Sequence, residues 1–170
     1  MNCKRKNYLF LEEDFWYYSG VMVVPQRKFR EIVFQMVYSR DLNDEANAKV
    51  LFSMLDQFLV TRKVLHHAFA KVEKIFVIMD EIDTLISKFS KDYDFKRISR
   101  VERNILRLGV FELKYEGEVP PKVAIAEAIR LSRKFGTPEG GAFVNAVLDA
   151  IFQSEDSPCL SKPVLNPTSP

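Results

Sequence analysis

Glycine is scarce in this chain, 6 of 170 residues, and the scarcity excludes several function classes. No G-x-G-x-x-G or G-x-x-x-x-G-K-[ST] run exists, so no loop is built to cradle nucleotide phosphates. Neither G-x-S-x-G nor H-E-x-x-H occurs. The two cysteines, Cys3 and Cys159, lie near opposite ends and have no C-x-x-C spacing. They imply neither a zinc site nor a disulfide framework, and a reduced cytoplasmic compartment is the simplest expectation. The two histidines, His66 and His67, are adjacent. On a helix, neighbours point about 100° apart, so they cannot chelate one metal as an i, i+4 pair would. No stretch is long and apolar enough to span a bilayer. The basic start MNCKRK is followed by a short apolar run that Glu12, Glu13 and Asp14 interrupt, which argues against a signal peptide. With no nucleophile–base pair, cofactor loop or metal set, the expectation is a binding protein rather than an enzyme, with no cofactor and no metal.

What is present is helical patterning. The chain is 47% hydrophobic and 28% charged, a balance suited to a folded domain, and its apolar residues recur at helical spacing almost throughout. The reading is therefore all-α, with six to seven helices. The first helix is expected from about 26 to 40, with Phe29, Ile32, Val33, Met36 and Val37 on one buried face. A second is expected from about 44 to 59. A longer run follows from 61 towards 89, long enough to carry a break. The polar stretch 90–95 reads as a joint between lobes of about 25–90 and 96–153. A broad, largely buried helix is then expected over 96–115. Gly117, Pro120 and Pro121 end it, and a helix with many alanines follows to Gly136 as C′ residue. Thr137 is placed as the cap of the last helix, with Pro138 at its first position. Asn145 falls among that helix's apolar residues, so it reads either as a hydrogen-bonding hub with partners or as a surface recognition group. Residues 1–24 are aromatic-rich without a period. They read either as an arm on the domain or as non-native residues before a true start at Met22. The tail from 154, with Pro158, Pro163, Pro167 and Pro170, reads as disordered.

Charge is informative by distribution, not total. The net charge is only +2, yet Lys96 to Lys114 carries six bases against two acids. Arg100, Arg103, Arg107 and Lys114 form one strip of that helix. On the first helix, Arg27, Arg30, Phe34 and Tyr38 cluster opposite the core stripe. Guanidinium groups pair with phosphates and aromatic rings stack on unpaired bases, so this face is a candidate nucleic-acid surface. Packing of the rings on a second lobe is the plainer explanation. The acidic cluster Asp80, Glu81 and Asp83 reads as a solvated face.

The runs RVERNILRLGVFEL, VPPKVAIAEAIRLSRKFG and FVNAVLDAI resemble, in order and spacing, the back half of the NusB family of transcription antitermination factors. PQRKFREIVFQMVYS resembles the family's Arg-rich first helix, with Phe29 and Val33 where alanine is usual. The resemblance implies two small helical bundles packed at an angle. It implies binding of boxA-type single-stranded RNA in ribosomal RNA leader transcripts, together with the ribosomal protein NusE and the RNA polymerase antitermination complex. Carried over by position, Arg27, Lys28, Arg30, Tyr38 and Phe143 are RNA-binding candidates, and Glu102 and Arg107 are NusE-binding candidates. Two other readings stand beside this one: a homo-oligomeric helical scaffold, and an accessory RNA-binding module of an RNA-modification system.

Overall fold

The computed structural model describes residues 24–42, 61–90 and 94–154. The aromatic N-terminal stretch, the helix expected over 44–59 and the Pro-rich tail lie outside the described residues. Those described form six α-helices and no strand: α1 Gln26–Leu42, α2 Arg62–Val77, α3 Met79–Phe89, α4 Arg100–Lys114, α5 Pro121–Phe135 and α6 Gly140–Gln153. The long run from 61 to 89 does break, at Ile78, whose φ of −113° and ψ of 20° interrupt the helix for one residue.

Helix α4 is the hub. It packs on α1, α2, α3, α5 and α6. That explains why every residue from Asn104 to Glu112 is buried, polar ones included. Helices α4, α5 and α6 form a three-helix unit, α1 and α2 pack on each other and on α4, and α3 packs on α4 and α6. Small residues set the closest approach. A Cβ on Gly109 would stand 2.9 Å from a methyl of Leu148 and 3.4 Å from the Cβ of Ala128. The core of Ile32, Val33, Ile105, Leu106, Leu131, Leu148 and Ile151 therefore closes with almost no exposure.

Local chemistry sets the ends. Helix α4 starts later than the charge pattern suggests, because Ser99 is its N-cap: the Ser99 Oγ accepts from the Glu102 N–H at 3.2 Å and donates to the Glu102 carboxylate at 3.0 Å. A single 3-10 turn, Phe95–Arg97, precedes it. Helix α6 begins at Gly140 rather than Pro138. Thr137 still satisfies its first turn, accepting from the Gly140 N–H at 3.1 Å and donating to Glu102 at 3.3 Å. Gly136 is the C-cap of α5, but in extended backbone and not the left-handed form. It is needed because a Cβ would come within 2.9 Å of the Ser132 carbonyl. Asn145 is exposed, which leaves the surface alternative for it; among the described residues the buried asparagine is Asn104, on α4.

Candidate nucleic-acid interface

Helix α1 is buried on more sides than its apolar stripe indicates. Phe34 is 3% exposed, as the packing explanation of these rings requires, and Arg30 is buried rather than solvated. The reason is that α1 is covered by α2 and α4 on one side and by the end of α5 on another. Arg30 points inward and its Nε–H donates to both oxygens of Glu112, at 3.0 and 2.9 Å. Lys71 joins them, donating to Glu112 at 2.7 Å and to Glu116 at 2.6 Å. This group ties α1, α2 and α4 together, so Arg30 is not part of a phosphate-facing strip.

Arg107 and Lys114 are likewise buried, which dissolves the expected basic strip along α4. Arg107 donates to both Asp83 oxygens at 2.8 and 2.7 Å and to Asp41 at 2.7 Å. It also donates to the side-chain oxygen of Asn104, which in turn donates to Asp41. Burial alone would lower the Arg107 pKa, but Asp83 and Asp41 outweigh it and hold the guanidinium more firmly charged. Asp83, first read as part of a solvated acidic face, is thus an internal partner. Arg107 and Glu102, the two NusE candidates, are engaged inside the chain: the first at the α1–α3–α4 junction, the second at the α4 and α6 caps.

A different surface emerges where α1 meets α5. Arg130 reaches across to Glu31 at 2.7 Å and to the backbone carbonyl of Arg27 at 3.1 Å, while its Nε contacts Glu127 at 2.9 Å. Lys134 pairs with the other Glu31 oxygen at 2.7 Å, and Arg27 approaches Glu127 at 3.3 Å with a side chain 75% exposed. Three cations thus share two carboxylates. Lys28 lies beside them on α1, and Arg133 is exposed on α5. Burial pushes the Glu31 carboxyl up, but Lys134 and Arg130 outweigh it and hold it below the ordinary range; Arg130 is correspondingly raised against its own desolvation.

The basic seam runs into an aromatic row. Lys134 Nζ sits 5.3 Å from the Phe135 ring centroid, Phe135 is 5.0 Å from Phe34, and Phe34 is 6.1 Å from Tyr38. Phe135 and Tyr38 are partly exposed. Cations beside accessible ring faces can hold phosphates and stack bases together. Phe143 is also partly exposed, packed against the core on α6. Arg130 and Lys134 were missed in the sequence. The available signal was their i, i+4 spacing on a helix otherwise lined with alanines. Among the described residues, no group of three His, Cys, Asp or Glu side chains could hold a metal ion, and no helix is long and apolar enough to cross a membrane.

Residues 27–153 match the family model described as the NusB family. The chain is 36% identical over 132 residues to a transcription antitermination protein NusB of Desulfosudis oleivorans, covering 76% of this chain and 86% of that one. It is 36% identical over 137 residues to the NusB of Myxococcus xanthus, covering 78% and 98%. Among solved structures it is similar to T. maritima NusB, with a TM-score of 0.67 at 30% identity over 79% of this chain and 94% of that one. It is also similar to a chain from a complex of antitermination factors NusB and NusE with double-stranded RNA, with a TM-score of 0.65 at 28% identity over 75% and 95%.

Proposed function

Since this chain belongs to the NusB family, we propose that it is a transcription antitermination factor that binds RNA without catalysing a reaction and works beside NusE. The observation that carries this is the match of residues 27–153, which includes every element of the α1–α5 seam. The RNA is read as a boxA-type single strand of a ribosomal RNA leader transcript, and the protein acts in the cytoplasm with the transcribing polymerase. Unpaired bases suit the seam, because Phe135 lies beside Lys134 with the partly exposed Tyr38 further along the same aromatic row, and a duplex would keep its bases stacked on each other.

In this proposal Arg27 and Lys28 contact phosphates, with Arg130, Arg133 and Lys134 from α5 extending their reach. Tyr38 and Phe135 are the candidate stacking groups of the seam, and Phe143 on α6 is a further one. Arg30 supports the surface from beneath through Glu112. Arg107 belongs to the interior scaffold, so a NusE contact there would involve the surface it shapes, while Glu102, partly exposed at the α4 and α6 caps, can meet NusE directly.

The test is fluorescence anisotropy with labelled boxA-like RNA, single-stranded and double-stranded, with and without NusE. Tighter binding of the single strand, strengthened by NusE, is expected. Equal affinity for an unrelated duplex, with no effect of NusE, would overturn the proposal.

A further inference from the structure

A recess of about 240 Å3 opens beside the basic seam, between the first turn of α1, the end of α4 and the loop into α5. It is far larger than the roughly 30 Å3 share of one water, and below the roughly 300 Å3 at which drug-sized pockets begin. Its walls are apolar and come from opposite sides: Phe29 on α1, and Val119 and Val123 from the loop and α5. Its floor is the buried Arg30–Glu112–Lys71–Glu116 group. Gln26, Glu118 and Pro120 complete the lining. Apolar walls over a floor of both donors and acceptors suit a heterocycle that packs its faces on the walls and presents a hydrogen-bonding edge to the floor.

We propose that this recess takes a single unstacked base of the bound RNA, and that it prefers a base with an exocyclic amino group. The inference rests on the RNA-binding reading of the α1–α5 seam. Carboxylates outnumber cations in the lining, three to two, so an amino edge that donates N–H is favoured. Cytosine combines that amino donor with ring acceptors, which the Gln26 side-chain amide at the mouth can satisfy. Uracil has no amino group, and its carbonyls would face carboxylates. The same surplus of carboxylate would attract a cationic side chain from a protein partner. However, the lining residues Gln26, Phe29 and Val123 are sequence neighbours of Arg27, Lys28 and Lys122, cations that disfavour such a side chain and favour a chain bearing phosphate beside each base.

The experiment compares the full chain's affinity for cytidine-only and uridine-only RNA of equal length, by anisotropy at fixed salt. Wild type should bind the cytidine RNA roughly five-fold or more tighter, the scale of a base-edge hydrogen-bond pair. Val123→Trp, at a position 42% exposed, should fill the slot and bring the two affinities together. Gln26→Ala, at the exposed first turn of α1, should narrow the difference and carries the test if Val123→Trp melts early by circular dichroism. Equal wild-type affinities, or an unchanged preference in a folded Val123→Trp, would overturn the base site while leaving RNA binding standing. A folded Val123→Trp that loses NusE but keeps its base preference would also overturn it and assign the recess to a protein side chain. Failure of both RNAs to bind at any salt would overturn the RNA reading, and this inference with it.

Discussion

Arg27 and Arg30 stand three residues apart on one helix and do opposite work. Arg27 is largely exposed and touches Glu127 only loosely, at 3.3 Å. Arg30 is buried and bonded to both oxygens of Glu112. The same contrast separates two regions. In the α1–α5 seam, three cations share two carboxylates in partial contact with water. In the interior groups around Glu112 and Arg107, each guanidinium has a carboxylate gripped at both oxygens. Positive charge therefore does not mark a phosphate site by itself. Its unspent fraction does.

Breaking the interior should have the largest effect on stability. Glu112→Ala strands Arg30 with its buried charge uncompensated and leaves Lys71 with Glu116 alone, and should cost about 3–5 kcal/mol by urea unfolding. If it costs less than about 1 kcal/mol, the interior group is not the tie it looks like. Gly140→Ala comes next. Its methyl would intrude on the Glu102 carboxylate and the Ser132 hydroxyl, so the cap shared by Ser99, Glu102 and Thr137 must shift. A loss of about 1–3 kcal/mol is expected, with RNA affinity changed far less than stability at temperatures where the variant remains folded.

Acid should act on both regions in one direction. Glu31 and Asp41 are held below the ordinary carboxylate range in the folded chain, despite burial that acts the other way. The unfolded chain therefore binds more protons, and the stabilisation is present at neutral pH and lost as pH falls below about 5. Unfolding at pH 7 and pH 4 should show Glu31→Gln and Asp41→Asn less stable than wild type at pH 7 and closer to it at pH 4. A constant gap would mean that these ion pairs do not carry the dependence.

Much of the fold was legible in the sequence. The apolar period and the Gly–Pro punctuation locate α4, α5 and α6, and the long run ending at Phe89 contains the break that Ile78 makes. The site was less legible, for a reason of distance. Helical spacing places Arg30, Phe34 and Tyr38 on one strip but cannot say what covers it. Glu112 is 82 residues from Arg30, and Arg130 is 99 from Glu31. Nothing local distinguishes a cation whose partner arrives from so far along the chain from one left to water. The asparagines show the same limit: Asn145 and Asn104 both lie near apolar positions, and only the hub position of α4 buries the second.

The smallest perturbation of the fold gives the most direct test. Arg27→Ala, measured for RNA affinity across a salt series, should leave the urea midpoint within about 0.5 kcal/mol of wild type. It should weaken single-stranded RNA binding and flatten the slope of log K against log salt by roughly 0.7, the share of one phosphate contact on a single strand. An unchanged slope and affinity in the folded variant would contradict the assignment of the α1–α5 seam as the RNA surface.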